Sequence, residues 1–119
     1  MPSKDQHVKK ATDNEVFANR LDTNTQASIN WKLIVLFYTA LHYVEAYLAK
    51  ALGQHLRVHT TRDSIVSRET HLRAIRTEYA HLKYYGFNAR YEADQFTSKD
   101  VTDALGYLAL VKGKIAPLL

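Results

Sequence analysis

The sequence predicts an all-α fold, an up-down bundle of four to five helices, and three observations carry that expectation. Only four glycines and two prolines occur among 119 residues, and Pro2 and Pro117 stand near the two ends. No stretch alternates apolar and polar residues for long enough to argue a strand. Apolar residues recur instead at helical intervals over long segments joined by short links, which favours antiparallel neighbours. Residues 1–119 read as a single domain, long enough to bury most of the surface an unfolded chain exposes.

The first helix is expected over about residues 6–22, with Val16, Phe17 and Leu21 as a short apolar edge. After the polar link DTNTQAS, Ser28 suits the N-cap of the longest helix, INWKLIVLFYTALHYVEAYLAKAL, and Gly53 suits its C-terminal end. From Leu33 to Val44 this helix is apolar nearly all round, which places it at the centre of the core. The loop GQHLRVH follows, and Thr60 with Asp63 has the spacing of a capping box at the start of a short helix, TRDSIVSRE. THLRAIRTEYAHLKYY is the fourth helix, with Leu72, Ile75, Tyr79 and Leu82 on its buried face and Gly86 punctuating its end. FNARYEADQF reads as a connector. Thr97 or Ser98, with an aspartate downstream, caps a last helix whose buried stripe is Val101, Ala104, Leu105, Leu108, Val111 and Ile115.

Sixteen Lys and Arg against twelve Asp and Glu give a net charge of +4, a mild bias that attracts polyanions without defining a nucleic-acid binder. Cysteine is absent, which excludes disulfides and thiolate metal sites. The segment MPSKDQHVKK lacks the apolar centre of a secretory signal, and the most apolar run, Leu33 to Leu52, is interrupted by His42, Glu45 and Lys50. A cytoplasmic protein without a membrane span is the expectation. The glycines are scattered singly, so no glycine-rich phosphate loop exists, and no serine stands in a nucleophile elbow. His55 and His59 have the i, i+4 spacing of metal ligands, yet they fall in a loop with no carboxylate at motif distance, so no metal or other cofactor is expected.

Within the most apolar helix, Tyr38, His42 and Glu45 follow one another at i, i+4 and i+7 and so share a stripe. A histidine and a carboxylate on so apolar a helix need partners, because an unpaired buried charge is costly. Arg62 in HTTRD and Arg90 in NARYEAD are the candidate cations. One reading is a structural network that satisfies itself. The other is a pocket in which His42, Glu45, His59, Arg62, Arg90 and Tyr91 converge, with arginines holding a phosphate and a histidine exchanging a proton. Eight tyrosines, among them Tyr79, Tyr84, Tyr85 and Tyr91 near Lys83 and Arg90, suit either nucleobase stacking beside a basic strip or the edges of a core.

RTEYAH sets Arg76 and His81 with four residues between them, the spacing of a metal-independent ribonuclease motif. Seven arginines and six histidines in this length make roughly one such match by chance. On a regular helix the two side chains point about 140° apart. The motif therefore carries no function by itself.

The order of features is more informative. FYTALHYVEAYLAKALGQHLRVHTTRD, then a helix, then YAHLKYYGFNARYEADQF and a final apolar helix resemble the HEPN domains, over about residues 28–118, with residues 1–27 supplying an additional N-terminal helix. The resemblance rests most on EAYLAKALG, on His59 shortly after it, and on ARY before the last helix. It implies a four- or five-helix bundle, frequent homodimers, and kinship with RNA-cleaving toxins, phage-defence proteins and partners of nucleotidyltransferases or antitoxins. In ribonuclease members an arginine precedes a histidine by a few positions near the last helix, and cleavage needs no metal. By place in the chain that arginine is Arg90, followed by Tyr91, but Gln95, Phe96 and Thr97 stand where the histidine would fall. The residue reading and the resemblance together point to recognition of RNA or nucleotide phosphate around Arg62 and Arg90, with Tyr38, Glu45 and Tyr91 in the binding set. If the chain is an endoribonuclease, His42 or His59 handles the proton. The rival is a non-catalytic interaction or dimerisation module.

Overall fold

The computed structural model describes residues 2–53, 59–91 and 95–119. Every regular element among them is helical: α1 (Lys4–Arg20), α2 (Gln26–Ala51), α3 (His59–Arg68), α4 (Thr70–Arg73), α5 (Arg76–Tyr91) and α6 (Ser98–Ile115), followed by a 3-10 turn at Ala116–Leu118. The all-α class and the helical bundle hold, with six α-helices among the described residues in place of four or five. The additional element arises where the fourth expected helix breaks. Ile75 N–H donates to Leu72 O at 3.0 Å, an i to i−3 bond that tightens and ends α4 before α5 begins.

α2 is the axis of the bundle and packs against α1, α5 and α6. Its Leu33, Leu36, Phe37, Ala40, Val44 and Leu48 are fully buried, as its all-round apolar character requires. It begins earlier than expected, because Thr25 rather than Ser28 is the N-cap and accepts from Ser28 N–H at 3.1 Å. It ends as expected, with Gly53 at φ 62°, the left-handed turn that glycine adopts without a Cβ clash.

α1 starts with a capping box between Ser3 and Gln6 and runs antiparallel to α2, with His7 against His42 and Lys32 Nζ donating to Leu21 O. Its expected apolar edge is corrected: Val16 and Phe17 are half exposed, and α1 buries His7, Ala11 and Ala18 instead. Ala11 and Ala18 lie one heptad apart on one face, and both are fully buried.

α5 lies antiparallel to α2, and Gly86 sits inside it rather than at its end. A Cβ there would meet Phe37 Cβ at 2.7 Å, so glycine serves the close crossing of two helices. Residues 87–91 of the expected connector are therefore helical, whereas residues 92–94, like 54–58 with His55, lie outside the described residues. The capping box at Thr60 and Asp63 is also corrected: α3 begins at His59, and the Asp63 carboxylate pairs with Lys83 of α5. In α6, Thr97 N–H donates to Asp100 Oδ2 at 2.8 Å as the capping pattern predicts. Val101, Ala104, Leu108, Val111 and Ile115 are buried there, but Leu105 flanks the stripe and is exposed. Gln26 Nε2 donates to Phe96 O, and Lys50 Nζ to Leu118 O, which fix α6 parallel to α2. Among the described residues no helix is long and apolar enough to cross a membrane.

Candidate functional site

The predicted site residues separate into neighbouring groups. The innermost joins α2 to α3. Arg62 Nε donates to Glu45 Oε1 at 2.7 Å, and Arg62 Nη1 lies 3.0 Å from His59 Nδ1. A guanidinium only donates, so His59 Nδ1 is the acceptor and the neutral ring carries its proton on Nε2. Burial holds the His59 pKa below its ordinary value, and the charges of Arg62, Lys83 and Arg90 add to this against the opposing effect of Asp63. Its ring meets Phe87 edge-on, with centroids 5.0 Å apart.

The second group lines a groove of about 560 Å³ between α3 and α5. Asp63 and Ser67 form the α3 side, and Tyr79, Lys83, Phe87 and Tyr91 lie on the α5 side. The Tyr79 hydroxyl and Asp63 Oδ1 are buried with no hydrogen-bond partner among the described residues. Burial pushes the Tyr79 pKa far above the usual tyrosine value, with the Arg62 charge opposing, so the hydroxyl stays protonated. Lys83 neutralises Asp63 while lying 5.3 Å from the centroid of the Phe87 ring.

The third group is on the surface at the end of α5. Arg90 Nη1 donates to the Tyr38 hydroxyl at 2.5 Å, and its guanidinium lies 4.8 Å from the centre of the Tyr91 ring. Tyr91 is 66% exposed. No carboxylate pairs with Arg90 among the described residues. Stacking keeps the cation over an aromatic face without neutralising it.

Glu45, Arg62 and His59 therefore stand together, and Tyr38, Arg90 and Tyr91 stand together, while His42 meets His7 of α1 with Nδ1 atoms 3.1 Å apart. The shared stripe on α2 is real, but its three members reach three different helices. Arg76 and His81 diverge as their angular separation requires: Arg76 lines the groove, whereas the His81 ring stacks on Tyr107 of α6 at 4.7 Å. Sequence reasoning missed the groove and the Asp63 to Lys83 bond. One signal for the groove is present in the sequence, because Arg76 and Lys83 stand seven residues apart, as do Tyr84 and Tyr91, and so each pair shares one face of α5. Among the described residues no cluster of three histidines or carboxylates is placed to hold a metal ion, and His55 lies outside them.

Comparison with family models, curated proteins and solved structures gives no match to this chain.

Proposed function

We propose that this chain is a HEPN-like domain that recognises RNA or nucleotide phosphate through the groove between α3 and α5. The observation that carries the reading is that Arg90, with no carboxylate partner among the described residues, stands over Tyr91 at the end of the groove, with a second exposed ring, Tyr84, one heptad earlier on α5. A heptad of helix is about 10.5 Å, so the two exposed rings follow one another along the groove with Arg90 beside the second. Every base has a face to stack, and each stack on an exposed aromatic contributes about 1–3 kcal/mol. Arg90, charged and without a carboxylate partner among the described residues, is the phosphate contact. Arg62 acts indirectly, since Glu45 engages it within the core.

The same arrangement favours binding over cleavage. His59 Nδ1 is engaged by Arg62, so its Nε2 carries a proton and donates rather than accepts. The homodimer and the antitoxin or nucleotidyltransferase partner implied by the resemblance belong to this proposal, and the exposed Val16, Phe17 and Leu110 offer apolar surface for them.

The test is anisotropy titration of a labelled single-stranded RNA in EDTA, with Arg90→Ala and Tyr91→Ala proteins of verified helicity. Each substitution is expected to weaken binding by about tenfold, and the RNA is expected to stay intact. Equal affinity in all three proteins, or no binding, overturns the reading.

A further inference from the structure

A second cavity, of about 390 Å³, lies between the start of α2 and the end of α5, bordered by Asn30, Trp31, Ile34, Arg90 and Tyr91. Trp31 is 58% exposed there, an unusual place for the largest side chain in the protein. Tyr91 lines this cavity and the α3/α5 groove alike, so the two are neighbours across one exposed ring. Arg90 borders the second cavity, and no carboxylate neutralises it among the described residues.

Each cavity offers an amide side chain to a ligand. Asn30 Oδ1 accepts from Gln26 Nε2 at 2.9 Å, which leaves the Asn30 amide hydrogens to donate to a ligand. Asn88, in the groove, has the reverse arrangement: its Nδ2 donates to Tyr84 O at 2.7 Å and its Oδ1 is left to accept. Asn88 can therefore accept from an exocyclic amino group in the groove, and Asn30 can donate to a carbonyl in the Trp31 cavity.

We infer that the Trp31 cavity is a second base subsite, and that the ligand is a single-stranded RNA of at least two nucleotides laid across Arg90 rather than a free mononucleotide. This rests on the nucleotide reading above. The amino base occupies the groove, the linking phosphate meets the Arg90 guanidinium, and the following base stacks between Trp31 and Tyr91.

Trp31 is the one tryptophan in the chain, so its emission reports this subsite alone. AMP and the tetranucleotide AUAU are titrated by calorimetry and by tryptophan fluorescence, with wild type and Trp31→Ala proteins whose helicity is checked first. AUAU is expected to bind at least tenfold more tightly than AMP and to quench Trp31, which AMP does not do. Trp31→Ala is expected to erase the gain of AUAU while leaving AMP unchanged. AMP binding with no gain for AUAU, or AUAU binding with unaltered Trp31 emission, overturns the second subsite and leaves a one-nucleotide groove. Failure of both ligands to bind overturns the nucleotide reading and this inference with it.

Discussion

Arg62 and Glu45 form an ion pair inside the bundle, with Nε to Oε1 at 2.7 Å and side chains only 4% and 1% exposed. Both charges are withdrawn from water, and the pair and the Arg62 contact to His59 help to offset that cost. Arg62→Ala removes the guanidinium that donates to the buried Glu45 carboxylate, and the expected loss is about 3–5 kcal/mol. Replacing both partners by leucine removes the charge and its penalty together, so the double variant is expected to be more stable than Arg62→Ala. Urea denaturation midpoints decide it. A double variant no better than the single one would show that the pair stabilises by more than mutual neutralisation.

The central place of α2 is legible in the sequence, because burial on all sides leaves little room for polar residues between Leu33 and Val44. The cap at Thr97 is legible because a capping box is local. Gly86 misleads because glycine marks both helix ends and close crossings, and only the approach of Phe37 tells them apart. Likewise the spacing of Tyr38, His42 and Glu45 specifies a shared stripe, while their partners Arg90, His7 and Arg62 depend on which helices pack on it. The α3/α5 groove is a product of that packing too, so its Asp63 to Lys83 bond has no signature at any fixed spacing along the chain.

Gly86→Ala tests the close crossing. Alanine is the better helix former by about 1 kcal/mol, but its Cβ would stand 2.7 Å from Phe37 Cβ, an atom held close to the α2 backbone. Overpacking of this kind costs about 1–3 kcal/mol, so net destabilisation is expected. Gly106→Ala and Gly113→Ala in α6 meet open space and are expected to stabilise by about 0.4–1 kcal/mol each. Thermal unfolding of the three variants provides the comparison, and a stabilised Gly86→Ala protein would contradict the close approach.

His59 gives a pH dependence of defined sign. Its folded pKa lies below the ordinary 6.5, from burial first and then from the cations Arg62, Lys83 and Arg90. As pH falls through 6.5 the unfolded chain takes up a proton that the folded protein refuses, so stability declines until pH passes the folded value. In His59→Gln this contribution is absent. The stability advantage of wild type over His59→Gln is therefore expected to be flat above about pH 7 and to shrink below it. An NMR titration of the His59 ring with a midpoint at or above 6.5 would refute the assignment.

Lys83 and Arg90 occupy equivalent places one heptad apart, yet among the described residues only Lys83 is neutralised by a carboxylate, that of Asp63. Salt dependence separates them, because each cation that neutralises a phosphate contributes to the slope of log affinity against log salt, about 0.7 for a single strand. Arg90→Ala is expected to lower the slope for single-stranded RNA by that amount, whereas Lys83→Ala changes it little, since Asp63 already holds the ammonium. Asp63→Asn frees Lys83 and is expected to raise both affinity and slope. The measurement is anisotropy titration over a range of salt concentrations. Equal slope changes for Arg90→Ala and Lys83→Ala would mean that the ligand pulls Lys83 away from Asp63, and Asp63→Asn would then leave the slope unchanged.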